Sequence, residues 1–544
     1  MSLTVQLGSA DVIVIGSGAA ALAAALSAHD AGSKVAVIER SESVGGTTAV
    51  SGGGVWMPGN HISGAEDSRE EALAYMRKLA KGRASEDHLV RYVDTGPSII
   101  SGLEQRSGVR FNPIPWPDYH PEIEGARSSG RMIEPAVTDA RPLGEWAKRL
   151  RRAPVLGLPM TLRESTVDWT PSYTPKRYDH AEITRRVEAG QVACGQALVA
   201  GLLAGCLARG IEPVLGSRAV EIVMSDGKVS GLVIESDGSR THASTDAVVL
   251  ASGGYEWNPE LCSRFLPGPL THPTSPPTNE GDALVMAMEV GADLANMNEA
   301  WWYPTAAVPG ERYEGRQLAR FVAVERTAPH SIMVDRFGQR FVNEAANYND
   351  MQKASFGLDA NDASPRHLPC WLVFDHQFRS RYPVVTTRPK DPDPDWLIVG
   401  ETIDKLAMRM GVDPLRLSET VARWNGYVSA GRDRDFHRGE SAYDRFHGDH
   451  DAPHPNLGSL VRAPFYAFAV YPGAVGTNGG ARIDDRGRIQ HVRDRPIPGL
   501  YGAGNAVASP GGPAYFGGGT TIGMALVWGH IAGADAASYV QSSG

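Results

Sequence analysis

The stretch from Asp11 to Gly54 leaves this chain few choices of fold. Asp11-Val-Ile-Val-Ile15 is a short apolar, β-branched run and predicts a buried strand. It enters Gly16-Ser17-Gly18-Ala19-Ala20-Ala21, after which an alanine-rich segment predicts a helix to about Asp30. A second strand, Lys34-Val-Ala-Val-Ile38, ends at Glu39. A G-x-G-x-x-A turn between strand and helix marks a dinucleotide-binding βαβ unit. Gly16 permits the tight turn, Gly18 lets the backbone approach a pyrophosphate, and Ala21 allows close helix–strand packing. N–H groups at the helix start are free for phosphates. Glu39, 18 positions after Ala21, can accept hydrogen bonds from a ribose diol. A lone glycine turn says little; the strand before it, the helix after it and the closing acid make it specific.

At 544 residues the chain exceeds one ordinary core, so two or more domains are expected. Against 53 basic residues stand 62 acidic ones, a formal charge of −9 that argues against a nucleic-acid partner. Four cysteines lie far apart with no C-x-x-C pair, so neither a disulfide framework nor a zinc site is expected, and a reducing, cytoplasmic setting is. No cationic, apolar leader precedes the first strand, and no uncharged run of about 20 apolar residues predicts a membrane span. Peripheral membrane contact stays open.

Glycine returns where a ligand would need close backbone approach. Arg40 to Gly54 contains Gly45-Gly46-Thr47-Thr48 and Ser51-Gly52-Gly53-Gly54. Glu66 to about Arg110 has helical spacing, then breaks into a proline-rich segment holding Trp116, Asp118, Tyr119 and His120. Val192 to Arg209 predicts a helix. Ala219-Val220-Glu-Ile-Val-Met224 and Val229 to Ile234 flank an Asp226-Gly227 turn as a hairpin. Ala247 to Ala251 predicts a buried strand entering Ser252-Gly253-Gly254, and Asn279-Glu280-Gly281-Asp282 opens another helix. After about Ala292 the composition turns aromatic and proline-rich. Near the end come Gly499-Leu-Tyr-Gly-Ala-Gly504-Asn505 and Tyr515-Phe516-Gly517-Gly518-Gly519-Thr520-Thr521-Ile522, then a last alanine-rich helix.

Over essentially its whole length this pattern resembles flavoproteins of the fumarate reductase and ketosteroid dehydrogenase superfamily. The resemblance implies an α/β fold: a Rossmann-like FAD-binding domain, residues 1–284 and 469–544, with an inserted α+β cap domain at 285–468. FAD contacts are then expected at Gly16, Gly18, Ala19, Ala20 and Glu39 of the βαβ unit. Others fall at Arg40, Gly45, Gly46, Thr47, Thr48, Ser51, Gly52 and Gly53 of the loop. The remainder are Ala219, Val220, Ala251, Ser252, Gly253, Asp282, Gly504, Asn505, Thr520, Thr521 and Ile522. Members with a covalent flavin use a histidine in this loop; none stands between Gly45 and Gly54, so a non-covalent FAD is expected. The last helix can stabilise negative charge at the flavin's N1/O2 edge.

The reaction has to be argued from the cap. Fumarate reductases carry a proton-donating arginine five residues after the Asn of an R-F-x-N-E motif. Here the motif is Arg340-Phe341-Val342-Asn343-Glu344, and the fifth position is Tyr348. Tyr303, before Pro304-Thr305, stands where that family binds a carboxylate with histidine. Val475 and Gly476 precede Thr477-Asn-Gly-Gly480 where a second histidine is expected, and Tyr515-Phe516 replaces a C-terminal Asn-Arg. The replacements resemble 3-ketosteroid dehydrogenases, which have a tyrosine at the Tyr348 spacing, a Y-x-G-x-G stretch matching Tyr515 and Gly519, and a further tyrosine resembling Tyr119. One departure is Phe516-Gly-Gly-Gly-Thr520, where Δ1-enzymes commonly have prolines, so Δ1 and Δ4 regiochemistry both stay open.

The resemblance implies Tyr348 as base, with Tyr119 lowering its pKa by a hydrogen bond, and Tyr515 with the Gly519 N–H holding the ketone oxygen. The expected substrate is a small hydrophobic cyclic ketone, first a 3-ketosteroid of steroid degradation, with an external electron acceptor. Trp301, Trp302 and Phe321 are candidate pocket walls, with Tyr466 and Tyr471 as runner-up polar groups. Three rival readings are a desaturase of a smaller ring such as 4-oxocyclohexanecarboxylate, an enone reductase, and a flavin-binding regulatory or assembly protein. The first needs a pocket cation, for which Arg320 and Arg326 are candidates.

Overall fold

The structure, a computed structural model, describes residues 10–64, 66–169 and 177–543. The segment before the first strand, expected to carry no leader, lies outside the described residues. The N-terminal unit runs β1 (Val12–Ile15), α1 (Ala19–Asp30), β2 (Val35–Ile38) and the short α2 (Gly46–Val50). Further on come α3 (Cys194–Leu207), the meander β3 (Arg218–Ser225), β4 (Lys228–Ser236) and β5 (Ser239–Ser244), then β6 (Ala247–Leu250) and α4 (Asp282–Glu289). The expected helical stretch after Glu66 is two helices, Arg69–Ala80 and Glu86–Arg106, parted where Lys81 adopts a left-handed conformation.

A second group follows: β7 (Ala300–Tyr313), β8 (Arg316–Phe321), α5 (Val324–Thr327), β9 (Ser331–Val334) and α6 (Tyr348–Lys353). It continues with β10 (Cys370–Asp375), β11 (Ile398–Gly400), α7 (Pro414–Ser429) and β12 (Phe465–Thr477). The chain closes with β13 (Arg488–His491), β14 (Arg495–Gly502) and α8 (Thr520–Ser543).

Residues far apart in sequence build the cofactor sheet, in the order β2-β1-β6-β14-β13. β1 pairs in parallel with β2 and β6, and β6 with β14. Every residue of β1 and β6 is buried, as parallel strands covered on both faces require. The small residues of α1 let it pack against α8 in one core with these strands.

The other large sheet has the order β8-β7-β12-β10-β9, with β11 also on β12. Strand alternation divides its residues between two cores. Met333, Leu372, Phe374 and Phe468 face one, with Met351 and Phe378. Ile332, Val334, Val373 and Ala467 face the other, against Leu417, Val421 and Trp424 of α7. β12 runs unbroken through the 468/469 boundary expected from sequence, so one strand links this sheet to the return of the cofactor fold. Among the described residues no helix is long and apolar enough to cross a membrane, no acid, cysteine and histidine group could hold a metal, and all four cysteines are free and buried.

Candidate active site

One cavity of about 680 Å³ runs from the β1–α1 turn to a cluster of tyrosines beneath the β7 sheet. At its nucleotide end, Gly16 has φ +107°, and a Cβ there would lie 2.5 Å from the Ala251 carbonyl oxygen. The crossing of β1 and β6 therefore leaves no room for a side chain. Glu39 is buried at the end of β2, where its carboxylate accepts from the Ser17 hydroxyl (2.6 Å) and the Ser41 N–H (2.8 Å). Burial pushes its pKa up, against those two donors and the more distant Arg151 and Arg40. Two lone pairs stay available to a ribose diol.

Along this groove lie Gly18, Ala19, Ala20, Gly46, Thr47, Thr48, Ser51, Gly52, Gly53, Ala219, Ala251, Ser252, Gly253, Gly504, Asn505, Thr521 and Ile522. The Thr48 hydroxyl takes the Ala19 N–H (3.0 Å), and Asn279 bonds Thr47 (2.8 Å), so the hydroxyl loop is pinned to both neighbours. Arg40 and Asp282 line the groove and pair with each other at 3.2 Å; Arg40 also meets Glu280, and Asp282 meets Arg218. Three expected contacts do not reach the cavity. Gly45 lies behind it, in a left-handed turn held by the Ser17 hydroxyl. Val220 points away by strand alternation from Ala219, and the Thr520 hydroxyl is spent on Gly517 N and O.

At the other end, the Tyr119 hydroxyl donates to Tyr348 (2.6 Å), which donates to Tyr515 (2.9 Å). Three separate parts of the chain supply these phenols, and each is locked. Tyr348 opens α6, whose first turn is capped by the Asn347 side chain on the Asp350 N–H. Behind it the Arg340–Glu344 motif forms a buried ion network with Asp433 and Arg438, so its acid and base serve structure. Burial works against ionised Glu344, yet the two guanidiniums hold its carboxyl below its usual range. The Phe516 carbonyl accepts from both the Tyr119 N–H (3.0 Å) and the Tyr75 hydroxyl (2.7 Å), tying the Tyr119 and Tyr515 backbones together. Asp118, buried, receives Trp56 Nε1, Arg127 N and Arg131 Nη1 and so fixes the residue before Tyr119. Gly519 has φ +93°, and a Cβ there would strike the Gly54 backbone at 2.4 Å, so the loop carrying its N–H sits flush against the flavin loop.

Burial raises the Tyr348 pKa well above the ordinary phenol value, and the neighbouring phenols Tyr515 and Tyr303 add to this. The Tyr119 hydrogen bond acts in the expected direction, downward, but burial outweighs it, so Tyr348 is a neutral phenol near pH 7. Tyr119 is raised likewise, and Tyr515 is raised by burial against hydrogen bonds from Tyr348 and Thr521.

Sequence reasoning missed Tyr303, which stacks on Tyr348 with ring centroids 4.1 Å apart, as a pocket wall; it missed Tyr443, edge-on to Tyr119 at 5.2 Å, altogether. It also missed Leu156, Met160 and Leu162, apolar wall residues from a loop without a motif. Phe321, a candidate wall, and Arg326, one of the two candidate cations of the smaller-ring reading, line the cavity. Trp301 lies behind Tyr515 instead, its indole N–H on Asn505, and Trp302 points to the opposite face of β7 against Phe356. Tyr466 stacks on Phe374 in the sheet core, Tyr471 on His272, and Arg320 is ion-paired with Glu311 at 2.7 Å, all away from the cavity.

Residues 11–522 match the family model described as an FAD binding domain. The chain is 41% identical over 539 residues to 4-oxocyclohexanecarboxylate 2-dehydrogenase of Sinomonas cyclohexanicum, covering 96% of this chain and 92% of that one. It is 34% identical over 570 residues to 3-oxosteroid 1-dehydrogenase of Mycolicibacterium smegmatis, covering 98% of both. The solved 3-ketosteroid delta1-dehydrogenase from Sterolibacterium denitrificans, in complex with 1,4-androstadiene-3,17-dione, superposes with a TM-score of 0.91 at 34% identity over 97% of this chain and 99% of that one. The flush glycine cradle, the buried acid at the end of β2 and the tyrosines at the far end of one cavity fit FAD. This chain belongs to the FAD-dependent dehydrogenase family that contains these relatives.

Proposed function

We propose that the protein desaturates a cyclic ketone beside its carbonyl, taking a proton from the α-carbon and a hydride from the β-carbon. The named activities of the relatives, on 3-oxosteroids and 4-oxocyclohexanecarboxylate, support this reading. One observation carries it: three hydrogen-bonded phenols close one end of the cavity, and two of them, Tyr348 and Tyr515, occupy the motifs where diacid reductases keep their ligands.

Tyr515 O–H and the Gly519 N–H bind the ketone oxygen, which acidifies the neighbouring C–H and takes up enolate charge as that proton leaves. Loss of one such donor typically costs about a hundredfold in rate. Tyr348 receives the α-proton, and Tyr119 stabilises the phenolate that must form first. FAD would be held by the βαβ turn, Glu39 and the loop at 46–53 and would supply the hydride acceptor, and turnover would call for an external electron acceptor. We assign residues 1–284 and 469–544 to FAD binding and 285–468 to the cap, with β12 as their common strand.

Anaerobic mixing of the yellow holoprotein with cyclic ketones should bleach the flavin; bleaching by dicarboxylates alone would overturn the proposal. Acid precipitation should release the FAD to the supernatant, since the loop has no histidine to hold it covalently.

A further inference from the structure

Six arginines are buried among the described residues: Arg131, Arg151, Arg326, Arg340, Arg379 and Arg438. Five have a carboxylate partner. Arg131 pairs with Asp67 and Asp118, Arg151 with Glu314, Arg340 with Glu344 and Asp433, Arg379 with Asp393, and Arg438 with Glu344. Arg326 is the exception, and it lines the substrate end of the cavity.

Its guanidinium is held by backbone carbonyls rather than by a carboxylate. Nε donates to the Val322 carbonyl (3.1 Å), and Nη1 to those of Glu344 (2.5 Å) and Ala346 (2.6 Å). Its charge is felt by Tyr303 on the cavity wall, whose pKa burial raises and the guanidinium lowers. Backbone carbonyls satisfy its N–H groups but supply no ion-pair partner, and a buried charge without one is costly. The neighbouring acid, Glu325, turns its carboxyl to the Val385 N–H (2.9 Å); burial raises its pKa, against backbone hydrogen bonds and the attraction of Arg326. The other groups that feel this charge, Tyr303, Tyr443 and His447, bear no negative charge near neutral pH. Tyr303 neighbours both the cation and the base: its phenol feels the Arg326 charge while its ring stacks on Tyr348.

We propose that Arg326 anchors a carboxylate of the substrate, which makes the substrate a single-ring oxo-cycloalkane carboxylate with its ketone and acid on opposite sides of the ring. This rests on the cyclic-ketone dehydrogenase reading above. Tyr303 stacks on the base and feels the cation, so both polar ends share one small neighbourhood, which suits a single ring. A neutral polycyclic ketone would leave the charge buried and unpaired.

The test compares 4-oxocyclohexane-1-carboxylate with its isosteric neutral carboxamide on the wild-type holoenzyme, by rapid anaerobic flavin reduction. A charge-assisted pair predicts about tenfold to a hundredfold higher kcat/KM for the acid. The acid-to-amide ratio should collapse toward one in Arg326→Met and be intermediate in Arg326→Lys. The ratio cancels any general damage from losing the contacts to Glu344 and Ala346. Equal efficiency for acid and amide in the wild type, or a preference that survives in Arg326→Met, overturns the inference. If Arg326→Met fails to fold, the wild-type pair and Arg326→Lys decide by the same criteria. Should no cyclic ketone, charged or neutral, reduce the flavin, the dehydrogenase reading itself falls, a result distinct from losing only the acid preference.

Discussion

Tyr119→Phe removes one hydroxyl and little else, because the Tyr119 main chain stays fixed by its N–H on the Phe516 carbonyl and its ring by packing on Tyr443 and Tyr515. What is lost is the 2.6 Å hydrogen bond to Tyr348, the contact that opposes the upward push of burial on that phenol. A hydrogen bond to a charged group contributes about 1.5–3 kcal/mol. At about 1.4 kcal/mol per unit, its loss raises the Tyr348 pKa further by about one to two units. The base acts as phenolate, and its folded pKa already lies above the ordinary phenol value, so flavin reduction should speed up with rising pH across the alkaline range. The variant's profile should move to higher pH by the same one to two units. At a fixed pH on the rising limb that is about a tenfold to hundredfold loss, part of it returned because a more basic phenolate is a stronger base. Stopped-flow flavin reduction with saturating substrate from neutral pH upward gives both curves, with FAD affinity as control. Superimposable profiles would refute the role of Tyr119 as phenolate donor.

Tyr348→Phe should keep FAD bound and lower flavin reduction by about a hundredfold to ten-thousandfold; undiminished turnover removes Tyr348 from the mechanism. Glu39→Gln should weaken FAD by about tenfold, read by recovery of free-flavin fluorescence on dilution, while substrate selectivity stays unchanged. Gly16→Ala forces a Cβ onto the Ala251 carbonyl, so it should give a colourless or poorly folded protein, and a normal flavin content would contradict the cradle. Burial first, then the charge of Arg326, depress the His447 pKa to about 3. Unfolded, it titrates near 6.5, so its contribution is complete above that pH and is lost as pH falls toward 3. The melting temperature should drop between pH 7 and 5, and His447→Gln should flatten the drop.

The cofactor half was legible because its signals are local. A strand, a glycine turn, a helix and an acid lie within 30 residues, and the fold brings them together with no help from the rest of the chain. Its misses are one-residue matters of direction: Val220 lies one position along a strand from a wall residue, and Thr520 satisfies its own loop. The cap was legible at Tyr348 and Tyr515, where spacing to a motif fixed the position, but less so for its walls. Trp301, Trp302 and Tyr303 share one strand, and which of them meets the ligand depends on register with β12, which no local pattern announces. Tyr443 and Tyr119 touch across more than 300 residues, and such contacts leave no trace in composition.

The same distinction separates the two roles that charge plays in the cap. In sequence, Arg326 and Arg340 look alike, both close to the motif that leads to Tyr348. In the fold Arg340 is enclosed by Glu344 and Asp433 and cannot reach a ligand, whereas Arg326 holds the carbonyls of Glu344 and Ala346 and faces the cavity. Both therefore fix the segment that delivers the base, one through carboxylates and one through backbone. Only the second keeps its charge for something outside the chain. The loss of the reductase ligands at the site of chemistry and the retention of a buried cation without an ion-pair partner in the same cavity are compatible demands. The reacting end has to be neutral for an enolate to form against phenols, and a distant positive charge can orient an acid without stabilising that enolate.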